Sequence, residues 1–186
     1  MREAHEDVTL SPEADRALRS VVRRDVELAS ECLKEVQAAA PLAAVCINFT
    51  QDESMALPDL LFARADDFAR EAEELEDWMD LWSPNWYPED DLVEPPVIDD
   101  EEFAEAEQVL AEALEPLVLD PYRWVMLRVA RELNANPPVA LTEDGLFFVL
   151  NEDFGDDVID ELRFVAPAEK FERLRARGLI GEPERA

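Results

Sequence analysis

Carboxylates are the one group with chemical potential that this chain holds in abundance: 46 aspartates and glutamates stand against 17 lysines and arginines. Two runs place acids close enough to share a divalent cation that could activate water, Asp90-Asp91 and the stretch from Asp99 to Glu102. A third run, Asn151-Glu152-Asp153-Phe154-Gly155-Asp156-Asp157, alternates oxygen ligands near a glycine, as a calcium loop does. Its register is wrong for that role, because Gly155 falls at the fifth loop position instead of the sixth and Leu162 stands where a bidentate glutamate belongs. Acid clusters in so acidic a chain also serve as solvated faces and helix caps, and that is the competing reading of all three.

Other chemistries lack their parts. His5 is the only histidine and lies in a polar N-terminal stretch, so neither a rigid Ser-His or Cys-His pair nor a histidine-rich zinc site is expected. The four glycines are too widely spaced for a phosphate-cradling loop. Cys32 and Cys46 sit in patterned apolar stretches without metal spacing, which reads as reduced, buried thiols. The expectation is a protein that is not an enzyme and uses no cofactor; the alternative is a metal-dependent enzyme built on a carboxylate cluster.

The aromatic residues suggest binding instead. Three of the four tryptophans, Trp78, Trp82 and Trp86, fall within nine residues, followed by Tyr87 and the acids Glu89, Asp90 and Asp91. Tryptophan and tyrosine dominate interface hot spots, and an acidic rim attracts arginine or lysine from a partner. Trp82, Trp86, Tyr87, Glu89, Asp90 and Asp91 are therefore the candidate binding residues. In the alternative reading Trp78 and Trp82 belong to the core, while Trp86 and Tyr87 clamp a proline-rich loop to the body.

The formal charge of −29 is unevenly placed: residues 51–120 hold 24 acids against Arg64 and Arg70 alone. Such a field repels nucleic acid and anionic membranes and favours a basic protein partner. Solubility in an acid-rich proteome is the competing explanation, consistent with only two lysines, Lys34 and Lys170. No apolar run approaches the ~18 residues of a membrane span, and the N-terminus has no signal-peptide core, so a cytoplasmic location is expected.

The elements that position these residues follow from periodicity. Ser11-Pro12-Glu13 is an N-cap, first-turn proline and acid, opening an amphipathic helix to about Ala39 with Arg16, Arg19, Arg23 and Arg24 on its outer face. Those arginines are expected to offset the acidic middle, a basic patch for RNA being the alternative. Ala44 to Phe49 and Leu57 to Ala63 predict an antiparallel hairpin turning at Gln51 to Ser54. Ala65, Phe68, Ala72, Leu75, Met79 and Trp82 recur at helical spacing, predicting one helix capped by Asp66 under a roof of acids. Four prolines between Ser83 and Asp100 exclude continuous regular structure there. Asp99 or Asp100, and then Asp120-Pro121, open two helices expected to pair. Leu146 to Leu150 is the most strand-like run, expected mid-sheet after a turn at 142–145, with an added edge strand at 139–141. A short helix near Val158 and a terminal helix from Pro167 to Gly178 complete the chain.

Three of these stretches resemble domain-of-unknown-function family 4303 of bacteria: the hairpin from Ala44 to Ala63, the turn Trp82-Ser83-Pro84-Asn85-Trp86, and the run from Leu141 to Leu150 leading to Val165-Ala166-Pro167. The turn is one residue shorter here than in that family. The resemblance implies an α+β domain and no defined activity. The combined expectation is a single α+β domain over residues 11–180 between flexible tails 1–10 and 181–186. A small antiparallel sheet of three to four strands packs with about five helices. It binds proteins through an acidic and aromatic surface, by analogy with immunity proteins that block a basic partner.

Overall fold

The computed structural model describes residues 2–36, 40–48, 54–74, 77–83, 86–87, 91–96, 100–150 and 158–181. They form an α+β fold with four strands and seven helices among the described residues. Helix α1 (Pro12–Glu35) begins as its sequence requires, with the Ser11 hydroxyl accepting from the Ala14 amide at 3.2 Å. It ends at Glu35, short of the expected Ala39. Strands β1 (Leu42–Ile47) and β2 (Leu60–Arg64) pair antiparallel, Val45 opposite Phe62. The chain between them is longer than a four-residue turn, and 51–53 lie outside the described residues.

The predicted single helix over Ala65 to Trp82 is two. Helix α2 (Ala65–Glu74) follows β2 directly, and α3 (Trp78–Leu81) starts afresh where Asp77 is extended (φ −115°, ψ 126°). Asp77 Oδ1 accepts from the Met79 amide at 2.9 Å, so an acid counted in the helix's outer face is instead a cap. Asp66 lies inside α2 and is not its N-cap. The proline-rich segment then contributes a two-residue strand β3 (Leu92–Val93), antiparallel to β2.

Helices α4 (Glu101–Leu114) and α5 (Pro121–Ala135) are capped by Asp100 and Asp120, whose carboxylates accept from Glu102 and Arg123 amides at 2.9 Å each. Their packing is mediated by α1, which lies against both, more than by direct pairing. Strand β4 (Leu141–Val149) follows, then α6 (Val158–Val165) and α7 (Ala168–Ala176). Helix α7 closes through Gly178 at φ 71°, with the Leu179 amide donating to Leu174 at 3.0 Å.

The strand order is β3-β2-β1-β4, so the sheet is mixed and not wholly antiparallel as expected: β4 runs parallel to β1. A parallel neighbour needs a long crossover, and α4 and α5 supply it. Strand β4 also lies at an edge, contrary to the central place its apolarity suggested. Helices α5, α6 and α7 cover it, and the Asn134 side chain occupies its free edge. The Phe147 amide donates to Asn134 Oδ1 at 2.9 Å, and Asn134 Nδ2 donates to the Phe147 carbonyl at 2.8 Å. The edge is closed to further pairing at that point.

Residues 142–145 form neither a preceding turn nor the end of a separate strand. They bulge within β4, since Leu42 opposes Leu141 and Ala44 already opposes Leu146. Gly145 is required there, because a Cβ would sit 2.6 Å from the Leu42 carbonyl oxygen. No helix among the described residues is long and apolar enough to cross a membrane.

The N-terminal residues read as a tail are tied down. The Arg2 amide donates to Leu117, the Leu119 amide to Arg2, and the Trp124 indole to the Glu6 carbonyl at 2.8 Å. Ala4 is buried against the core.

Candidate functional site

The aromatic cluster grows from β2 and α2. Phe68, on the inward face of α2, meets Trp82 edge-on at 5.7 Å and Trp86 at 6.0 Å, and Trp82 meets Phe148 of β4 at 5.2 Å. Edge-to-face pairs of this kind add about 0.5–1.5 kcal/mol each beyond their buried area. Trp82 is buried, and its indole N–H donates to the Leu179 carbonyl at 2.7 Å, binding the α3 turn to the end of α7. Trp86 is half-buried, donates to the Leu81 carbonyl at 3.1 Å and lies 4.4 Å from the Tyr87 ring.

Tyr87 is buried, and its hydroxyl has no hydrogen-bond partner among the described residues. Burial, with a smaller effect from nearby Cys46, pushes its pKa well up. Asp91 is buried too, its Oδ1 3.6 Å from the Arg64 guanidinium. Glu89 and Asp90 lie outside the described residues, as do Asp99 and the run 151–157. Of the six candidate residues, then, Trp82, Tyr87 and Asp91 are in the interior, and Trp86 alone among those described is partly open to solvent. The cavity beside Trp82, Phe148 and Glu161 measures about 10 Å³, which is room for one water at most.

Exposed acids lie on the helices of this segment. Asp66, Glu73 and Glu74 of α2 and Asp77 and Asp80 at α3 are exposed. Arg70, itself exposed, pairs with Asp67 at 3.1 Å and Glu71 at 3.4 Å. No group of three or more histidine, cysteine, aspartate or glutamate side chains converges on a metal-sized point among the described residues.

Two buried acids were not singled out from the sequence. Glu161 of α6 receives Arg123 of α5 in a forked pair, Nε to Oε1 at 2.7 Å and Nη2 to Oε2 at 2.5 Å, while Arg123 Nη1 donates to the Leu150 carbonyl. Asp25 of α1 is fully buried with no such counter-ion. Its Oδ1 accepts from the Leu57 amide at 3.1 Å, and its Oδ2 has no partner among the described residues. Desolvation drives its pKa well above the ordinary value; Glu107 adds to the rise, while the Leu57 amide and Arg24 oppose it. Glu107 in turn accepts from the neighbouring Met55 amide, so one acid from α1 and one from α4 hold the segment leading into β2. The signal for Asp25 was its place in the apolar stripe, four residues after Val21 and four before Ala29.

Cys46 is buried in β1, and desolvation raises its thiol pKa far above normal, which leaves it inert. No family model, curated protein or solved structure matches this chain.

Proposed function

We propose that this is a non-enzymatic, cytoplasmic protein-binding domain, of the type in which an acidic surface blocks a basic partner as an immunity protein does. The observation that carries this reading is the concentration of exposed acids on α2 and α3, Asp66, Glu73, Glu74, Asp77 and Asp80, in the same stretch of chain as the half-buried Trp86. Carboxylates steer a cationic surface into encounter, and an indole at their margin supplies apolar contact once water is displaced. Trp82 and Tyr87 act beneath, fixing the position of Trp86 by packing.

The test is capture of partners from the native host on immobilised protein at low and high salt. Wild type is compared with Glu73→Lys/Glu74→Lys/Asp80→Lys and with Trp86→Ala, all checked for folding by circular dichroism. Retention of a basic protein that weakens with salt and is lost in the triple variant is the expected result. Binding that ignores both salt and the charge reversals would overturn the reading.

A further inference from the structure

A large concave surface lies on a different part of the molecule and has the opposite sign. An open groove of about 980 Å³ runs along the seam of α1 and α5. Leu18, Val22 and Val26 of α1 line it, a ridge at helical spacing about 12 Å long. Arg16, Arg19 and Arg23 line it from α1, and Arg128 and Arg131 from α5, with Glu132 as the only acid among the lining residues.

These cations are not equivalent. Arg128 is committed to the fold: it donates to the Ala4 and Glu6 carbonyls and stacks 3.4 Å from the Trp124 ring. Arg19 pairs with Asp15 of its own helix at 2.6 Å. Arg16, Arg23 and Arg131 are exposed and have no carboxylate partner among the described residues; Arg131 rests over Phe164 at 4.9 Å. The expectation that the α1 arginines neutralise the acidic middle of the chain therefore fails for Arg16 and Arg23 among the described residues. In a protein with 46 acids, guanidinium groups left around an aliphatic floor are available to an outside anion.

We infer that the α1–α5 groove docks a short acidic segment of a partner protein, whose carboxylates meet Arg16, Arg23 and Arg131 and whose apolar side chains lie on Leu18, Val22 and Val26. Charge complementarity sets the sign, and the aliphatic floor sets the class. A nucleic acid would extend past the groove into the −29 field, and no aromatic residue stands among the groove's described lining residues to stack its bases. A phosphate alone would leave the floor uncovered. A second copy of this chain brings the same large negative charge. The groove is independent of the α2–α3 surface and recognises chemistry of the opposite kind.

Fluorescence anisotropy with labelled decapeptides of alternating glutamate pairs and leucines tests the inference. The controls replace the leucines by serine or the glutamates by lysine. The protein is expected to bind the glutamate-leucine peptide about tenfold more tightly than either control, with a similar loss in Arg16→Glu/Arg23→Glu/Arg131→Glu. The three side chains are exposed, so the variant's circular dichroism should match wild type. The inference is overturned by no binding at millimolar peptide or by equal binding of the serine or lysine peptide. It is also overturned by an unchanged affinity in the triple variant, by equal competition from inorganic phosphate or single-stranded DNA, or by a concentration-dependent dimer that the triple variant abolishes.

Discussion

Around β4 the cationic side chains Arg123, Lys170 and Arg173 are tied to particular acceptors. Arg123 clasps Glu161 and reaches Leu150, Lys170 donates to the Gly145 carbonyl, and Arg173 holds Asp144 at 2.9 Å and the Glu143 carbonyl at 2.7 Å. On the α2–α3 side the exposed acids far outnumber cations, and Arg70 is the only one on α2. The first region spends its charges on backbone groups that β4 and its bulge would otherwise leave unsatisfied. The second keeps its charges in water, where they contribute little to folding. Around β4 the positive charge is structural, and at α2 and α3 the exposed negative charge is not.

The comparison breaks most readily at Arg123. Arg123→Ala removes the forked cation from Glu161 in a site where the two side chains are only 12% and 8% exposed. A loss of about 3 kcal/mol in urea denaturation is expected, and a loss below about 1 kcal/mol would place that pair with the surface charges. Next comes Asn134→Ala, which strands the Phe147 amide and the Phe147 and Val165 carbonyls. About 2 kcal/mol should be lost, and light scattering on heating should rise as the β4 edge opens.

Asp25 sharpens the contrast, being a buried acid without a forked cation. Its folded pKa is raised above the unfolded value, chiefly by desolvation. Its contribution to stability is thus fully present below the ordinary carboxyl range and is lost as pH rises through the raised folded value. Asp25→Asn, which keeps an acceptor for the Leu57 amide, should therefore gain stability relative to wild type as pH increases from 4 to 8, read from melting temperatures on a scale of roughly 2–8 °C. A difference that does not change with pH would show that folding leaves the carboxyl's pKa where it is in the unfolded chain. The smallest effect is expected for Glu73→Gln/Glu74→Gln on α2: melting should stay within about 2 °C of wild type, while association with a basic partner slows.

The caps were legible because each is a local event. Ser11, Asp100 and Asp120 accept from amides two or three residues on, and Gly178 adopts the positive φ that ends α7, all within a few residues of chain. The antiparallel pairing of β1 with β2 was legible from two neighbouring apolar runs, although the connection over residues 48–59 is longer than the expected turn. The split at Asp77 was not, because an acid on the polar face of a helical pattern and an acid that restarts a helix look alike in one dimension. The candidate site was read in part: Trp82, Trp86 and Tyr87 do meet around Phe68 and Phe148, but spacing alone could not say which of them faces water.

The sequence by itself determined most element types, the starts of α1, α4 and α5 and the excess of negative charge, since periodicity, capping and composition are carried by neighbouring residues. Only the tertiary structure decided that β4 lies parallel to β1 at an edge, because an apolar run records covered faces and says nothing about which edges are paired. The same is true of the arginine groove. Residues 16–26 and 128–135 are more than a hundred positions apart, and only the packing of α1 on α5 brings their charges to one surface.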